Sequence, residues 1–323
     1  MRKITILAIH KTIATTVMGP MDIFFQAGQL WNHIRGIPMT PYFDVEIVST
    51  GGRPVKCLNN AVILPHRAMT EVEQTDLIII PSITDIEKTI QWGGDALSWL
   101  KYHYSRGTSI ASICTGAFFL AETGLLNGKT ATTHWGYVDL FRQMYPQVQL
   151  KPDRLITDEG TLFCAGALGA GMDLSIYLVE KYCGHEVATH CSKALIYDMG
   201  RSSQAPYSVF QFQKNHLDQA IGNSQKWIEK NYDREIDMNA VAKIHGMSRR
   251  TFERRFKKAT GDTPLLYLQR TRIEAAKRKL ESNINTFDEI SYQVGYENSS
   301  HFRELFKKHT GLLPTEYQKK FRL

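Results

Sequence analysis

Two groups of residues in this chain have the types and spacing to do chemistry. The first centres on Cys114, in Ser112-Ile113-Cys114-Thr115-Gly116, where the β-branched run Thr108–Ile113 meets the apolar stretch Ala117–Glu122. A cysteine between a buried strand and a helix start sits on a sharp turn. Backbone N–H groups and the positive end of the helix there favour its thiolate, as at a nucleophile elbow. The same position equally suits a small apolar Cys filling a core gap. The second group lies near the C-terminus. On a helical period Arg250, Glu253, Arg254 and Lys257 share one face, beside Arg249, while Phe252, Phe256 and Ala259 share the other. Exposed guanidinium groups can read guanine in the major groove, and lysines suit phosphate contacts. One such face taken alone could equally be a solvated helix surface. Cys183, His185, His190 and Cys191 also lie near one another, but not at a usual zinc spacing, so neither a metal nor a cofactor is expected.

These residues need elements to position them. Lys3–Ile9, Phe43–Ser49, Thr75–Pro81 and Thr108–Ile113 have the length and composition of buried strands. Asp22–Trp31, Gly94–Ser105 and the apolar Ala167–Val179 read as helices, and Arg154–Ala165 as two strands joined at Asp158-Glu159-Gly160. Strand and helix in alternation imply an α/β fold with a parallel sheet covered on both faces. This first domain is placed at residues 1–200. Residues 201–215, with Ser202, Ser203 and Pro206, read as a linker, and residues 216–323 as a second domain.

Charge divides the chain in the same place. The 323 residues carry a formal net charge of +7. Residues 1–214 hold 18 Lys+Arg and 18 Asp+Glu, whereas the remainder holds 21 against 14. A neutral domain is thus joined to a basic one, and a basic domain calls for an anionic partner, nucleic acid first. No stretch approaches the roughly eighteen apolar residues of a membrane span. The run Ile4–Ile9 is too short for a signal-peptide core and is interrupted by His10 and Lys11. Five cysteines without a CxxC pair point to a reducing compartment. The expectation is a cytoplasmic protein with no membrane partner.

The basic domain contains an internal repeat. An offset of fifty positions maps Phe252 to Phe302, Phe256 to Phe306 and Lys257-Lys258 to Lys307-Lys308. It also maps Thr260-Gly261 to Thr310-Gly311, Pro264 to Pro314 and Tyr267 to Tyr317. Identities this dense at one offset mean a supersecondary unit used twice. In the first unit Asp237 caps a helix that Gly246 breaks, and Ser248 caps a second that stops at Gly261. In the second, Thr286 and Glu289 form a capping box, Gly295 breaks the helix, and another runs from about Ser299 to Gly311. Helix, Gly-containing turn and helix form a helix-turn-helix, present at about residues 237–261 and 286–311. Between them Pro264 opens a long helix to about Glu281. The face of the second unit equivalent to the Arg250 face is Ser300, Arg303, Glu304 and Lys307.

Residues 223–323 resemble the DNA-binding domain of the AraC/XylS family of transcription activators. The stretches MNAVAKIHGMSRRTFERRFKKATGDTPLLYLQRTRIEAAKRKL and ISYQVGYENSSHFRELFKKHTGLLPTEYQKKF carry the likeness. The resemblance implies two subdomains on one linking helix, reading successive major-groove segments of double-stranded DNA about one helical turn (roughly 34 Å) apart. Base-facing candidates carried over by position are Arg250, Glu253 and Arg254, then Ser299, Ser300 and Arg303. Glu304 departs from the family pattern. An acidic residue there repels phosphate but can accept from a cytosine amino group.

The stretch SICTGAFFLAETGLLNGKTATTHW, with MGPMDIF near the start, resembles the DJ-1/PfpI superfamily, in the branch of GlxA-like regulators and isonitrile hydratase. The resemblance covers about residues 3–195. It implies a class I glutamine amidotransferase-like sheet with Cys114 on the elbow. It also sets Asp22 as the acidic residue lying against the sulfur, Thr115 as the residue after the nucleophile, and His134 near the same pocket. Two departures count against a working hydrolase. Thr115 replaces the His that follows the cysteine in PfpI-type proteases, and Pro81-Ser82-Ile83-Thr84 lacks paired glycines for an oxyanion donor. The combined reading is a transcriptional regulator, an activator, responding to a small metabolite bound near Cys114. It would act as a homodimer on promoter half-sites beside RNA polymerase, nucleoid-associated when bound. The alternative is a cysteine-dependent enzyme, isonitrile hydratase-like or amidase-like, fused to a DNA-binding domain.

Overall fold

Alternation along short apolar runs builds the sheet of the N-terminal half. In this computed structural model, which describes residues 1–282 and 285–322, the chain divides into two compact units, Met1–Gln204 and Ala205–Leu323. Among the described residues, seven strands form the main sheet of the first unit. They are β1 (Arg2–Leu7), β2 (Phe43–Ser49), β3 (Arg67–Ala68), β4 (Leu77–Ile80), β5 (Ser109–Ile113), β6 (Ile156–Asp158) and β7 (Leu162–Ala165), in the order β6-β7-β5-β4-β1-β2-β3. Neighbours run parallel except in the β6–β7 hairpin, where Ile156 opposes Ala165. Successive side chains alternate between the faces. Leu77, Ile79, Ala111, Ile113, Phe163 and Ala165 belong to one core, and Ile78, Ile80, Ile110, Leu162 and Cys164 to the other.

Helices cover both faces. They are α1 (Thr15–Gln26), α2 (Leu30–Ile34), α3 (Ile86–Trp92), α4 (Gly94–Ser105), α5 (Gly116–Glu122), α6 (Val138–Met144), α7 (Ala170–Cys183) and α8 (His185–Leu195). α1, α7 and α8 supply one core, and α3, α4, α5 and α6 the other. The expected helix Asp22–Trp31 is displaced. It begins at Thr15, with Pro20 inside it, and a second helix starts at Leu30. The reason is burial: Thr16, Val17, Pro20, Ile23 and Phe24 make one apolar stripe at helical spacing, which extends the helix upstream of the proline.

Among the described residues the second unit is all helical: α9 (Gln219–Asn231), α10 (Met238–Ile244), α11 (Arg249–Thr260), α12 (Pro264–Ser282), α13 (Phe287–Gln293), α14 (Ser299–Thr310) and α15 (Pro314–Phe321). The caps are those the sequence specifies. Asp237 accepts from Asn239 N at 2.8 Å, Ser248 from Thr251 N at 3.3 Å, and Thr286 and Glu289 close a capping box. Two small cores result. Met238, Val241, Phe252 and Phe256 meet Tyr267 and Leu268 of α12 in the first, while Ile290, Phe302, Phe306 and Tyr317 meet Ile273, Ala276 and Leu280 of the same helix in the second. The two repeats agree in detail. Thr260 and Thr310 each donate to the carbonyl four residues back at 2.8 Å, and Phe256–Tyr267 and Phe306–Tyr317 stack edge-on at 5.3 and 5.4 Å.

The division between units falls inside the segment expected as a linker. Gln204 is buried in the first unit, donating to Thr132 Oγ1 at 3.1 Å and Thr133 O at 2.9 Å. Beyond it, Phe210 and Phe212 pack on Tyr267 of the second unit, at 5.2 and 6.0 Å between ring centroids. Side chains with partners on either side leave little of 201–215 as free chain.

Candidate functional site

The elbow forms because β5 must turn into α5 within two residues. Cys114 takes φ +57°, in the left-handed region, with its N–H donating to Ala165 O at 2.7 Å and its carbonyl accepting from Thr133 Oγ1 at 3.0 Å. Gly116 is required by a close approach. A Cβ there would lie 2.5 Å from Pro81 O and 2.8 Å from Ile80 O. The structure thus places Cys114 where the sequence does, on a strained strand-to-helix turn at the carboxyl edge of the sheet.

The chemistry around it differs from the expected polar pocket. Thr115 is buried and its hydroxyl is fully used. It donates to Ile83 O at 2.6 Å and accepts from Ile83 N at 3.0 Å, with Ser82 Oγ at 2.8 Å. With its one proton on Ile83, it receives the Ser82 proton. Two further hydroxyls complete the web. Thr12 donates to Ser82 O at 2.8 Å, and Thr16 accepts from Ser82 N at 3.1 Å. Asp22 is not in this web; it is exposed on the face of α1 away from the buried stripe. The expectation that it lies against the sulfur is corrected by the start of α1 at Thr15, which turns Thr16 inward instead. His134 is half-buried, its Nδ1 accepting from Gly136 N at 3.1 Å and its ring 5.1 Å from Trp135. Burial lowers its pKa, so the ring is neutral near pH 7.

Among the described residues no carboxylate or imidazole hydrogen-bonds to Cys114. Burial pushes its thiol above the ordinary value, opposed in part by the backbone N–H of Thr115 and the nearby Ser82 and Thr115 hydroxyl dipoles. The thiol is therefore protonated at neutral pH, the reverse of an activated nucleophile. Sequence reasoning missed Thr16, Ser82 and Thr133. The available signal was the position of each hydroxyl residue close behind a strand or at a helix start, where backbone groups need partners.

The cysteine–histidine cluster at 183–191 has other roles. His185 pairs with Glu180 at 2.9 Å, and His190 stacks on Trp31 at 4.6 Å. Cys191 is buried, which pushes its thiol up to about 11.

In the second unit, α11 buries Phe252, Phe256 and Thr260, while Arg250, Arg254 and Lys257 are exposed. Glu253 pairs with Arg249 one turn earlier, and Arg255 pairs with Asp218 at 2.7 Å. Among the described residues Arg250, Arg254 and Lys257 carry no ion pair, which leaves them as the free cations of this face. On α14, Ser300, Arg303, Glu304 and Lys307 are exposed and Ser299 is half-buried at the first turn. Arg303 lies 3.3 Å from Asp288 and over the Phe287 ring. The two faces share a scaffold but not a charge pattern.

Comparison with known proteins resolves both units. The DJ-1/PfpI family matches residues 2–181, more than half of the chain. The chain belongs to the DJ-1/PfpI family. A helix-turn-helix domain matches residues 241–320. The HTH-type transcriptional regulator GbdR of Pseudomonas aeruginosa is 24% identical over 276 residues, covering 83% of this chain and 73% of that protein. The HTH-type transcriptional regulator GlxA of Rhizobium meliloti is 27% identical, covering 62% of each. Isonitrile hydratase of Pseudomonas putida is 28% identical over 52% of this chain and 75% of its own. The crystal structure of Drosophila melanogaster DJ-1beta shares the fold, with a TM-score of 0.53 at 19% identity, covering 61% of this chain and 98% of that one. A DJ-1/PfpI unit followed by an AraC-type helix-turn-helix unit is a regulator architecture, and this DJ-1/PfpI protein is a helix-turn-helix transcriptional regulator. Among its described residues no helix is long and apolar enough to cross a membrane.

Proposed function

We propose that this DJ-1/PfpI regulator binds double-stranded promoter DNA through α11 and α14 and activates transcription in response to a small metabolite held in its N-terminal unit. The observation that carries the reading is the pair of matching helix-turn-helix frames, each presenting exposed cations on the helix face opposite its buried phenylalanines. Arg250 and Arg254 read bases in the first half-site, Ser300 and Arg303 in the second, and Lys257 and Lys307 hold phosphates. Function as a homodimer contacting RNA polymerase in the cytoplasm belongs to the same proposal. The likeness to isonitrile hydratase supports a second reading, an enzyme using Cys114. The protonated, buried thiol and the absence of a neighbouring base among the described residues weigh against it.

The test is recovery of genomic DNA fragments on the purified protein at physiological salt. Discrete paired half-sites support the regulator, whereas uniform weak binding leaves only a basic surface. Turnover of isonitriles or small amides that is lost in Cys114→Ala favours the enzyme.

A further inference from the structure

The elbow offers a metabolite little. Thr115 is committed to Ile83, Asp22 faces solvent, and Cys114 is sealed. A second place at the same edge of the sheet offers more. Strand order reverses between β1 and β4: β1 leads outward to β2, whereas β4 leads the other way to β5. Ligands in open α/β sheets bind in the crevice at such a switch point. A cavity of about 590 Å³ opens there, between the loop after β1, the loop after β2, and α3. Its volume is in the range of small-molecule sites. Cys114 is not on its wall.

The lining is apolar below and cationic at the mouth. Leu7, Val55 and Phe119 are buried in its floor, and the exposed indole of Trp92 flanks it. Lys11 and Arg53 stand at the rim, and among the described residues neither side chain has an anionic partner. The single carboxylate, Asp85, is already engaged by Lys88 at 3.4 Å. The loops carrying the two cations are pinned. Lys11 is held at φ +59°, its N–H donating to Lys56 O at 2.8 Å and its carbonyl accepting from Thr84 Oγ1 at 2.9 Å. Ser49 Oγ donates to Arg53 O at 2.7 Å. A left-handed non-glycine residue kept in place by two hydrogen bonds is strain of the kind stored at binding sites.

We propose that this cavity binds a small organic carboxylate, its anionic end between Lys11 and Arg53 and its apolar body on the floor beside Trp92. This names the ligand class and the site for the regulator proposed above, and rests on that reading for its role. A guanidinium takes a carboxylate bidentately, and the unpaired cations make a neutral isostere a poor substitute.

The full-length protein is titrated with sodium acetate, glutarate, benzoate and phenylacetate, and with benzamide as the uncharged control. Binding is read by tryptophan fluorescence and by Tm. At least one carboxylate should give saturable binding that benzamide does not. The double variant Lys11→Gln, Arg53→Gln, altered only at exposed side chains, should bind it at least tenfold more weakly, whereas Cys114→Ser should stay within twofold of wild type. The proposal is overturned if none of the four carboxylates saturates, if benzamide binds as well as benzoate, or if the double variant binds equally. Loss of binding in Cys114→Ser also overturns it and moves the ligand to the elbow. Retention of genomic DNA by the same samples is scored separately. Carboxylate binding without DNA binding discards the regulator and keeps the site, while DNA binding without carboxylate binding discards only the site.

Discussion

At the scale of single residues, the two sites are governed by opposite conditions. Cys114 is shielded from solvent and kept neutral, while Arg250 and Arg254 are open and unpaired among the described residues. The sign for the thiol is fixed by its cause: desolvation disfavours the thiolate, so its pKa is raised and the reactive form accumulates only as pH climbs. Iodoacetamide labelling followed by mass spectrometry should find Cys114 nearly inert at neutral pH, with a rate still rising beyond about pH 9. A rate already level below neutrality would mean an activated nucleophile. For the arginines, Arg250→Ala and Arg254→Ala should each cost about 1–3 kcal/mol of specific DNA binding, whereas Lys257→Ala should weaken all sequences alike and reduce the salt slope by about one. Unchanged affinity in both arginine variants would remove the assigned face. Inside the hydroxyl web, Thr16→Val leaves Ser82 N–H without its acceptor and should lower stability by about 1–3 kcal/mol in a urea melt. The exposed Asp22→Ala should stay within about 0.5 kcal/mol of wild type.

At the scale of elements, glycine marks where backbone geometry is demanded, and neighbours decide how strictly. Gly246 and Gly295 break equivalent helices at φ +70° and +85°. A Cβ at Gly246 meets nothing within 4 Å, whereas one at Gly295 would lie 2.8 Å from Arg272 Nη2 and 3.0 Å from Tyr232 O. Both alanine variants carry the left-handed cost of about 1–2 kcal/mol, and Gly295→Ala should lose more in a thermal melt. Equal losses would show that Arg272 yields freely. Much of this level was legible in the sequence. Asp237, Ser248 and Thr286 announce their helices because capping is a local transaction between a side chain and the next few N–H groups, and the repeat announces α11 and α14 twice over. The start of α1 was not legible. The sequence reading starts this helix at Asp22, and only tertiary burial of Thr16 and Val17 carries it upstream. The same misplacement hid Thr16 and sent Asp22 to the wrong face. The cavity beside Lys11 was equally out of reach, since two loops and a helix distant in sequence build it.

At the scale of the whole molecule, the charge asymmetry found in the sequence becomes a division of labour between two units. The boundary has a measurable consequence. A fragment beginning at Ala205 retains Phe210 and Phe212 on Tyr267, whereas one beginning at His216 loses both rings. At about 0.5–1.5 kcal/mol per aromatic pair beyond burial, the shorter fragment should melt several degrees lower. Equal Tm values would show that the segment contributes no packing. One further consequence follows from α12. Its 19 residues span about 28 Å, and its two ends are built into different cores. Arg272 in its middle is buried, donating to Tyr232 O at 2.8 Å and Arg234 O at 2.7 Å. On the binding mode proposed above, the helix acts as a calliper, so an operator should be accepted on distance as well as phase. Inserting about five base pairs between half-sites swings the second to the far side of the duplex, and inserting about ten restores its side but moves it a full helical turn away. Neither spacing can be gauged by jaws that do not slide.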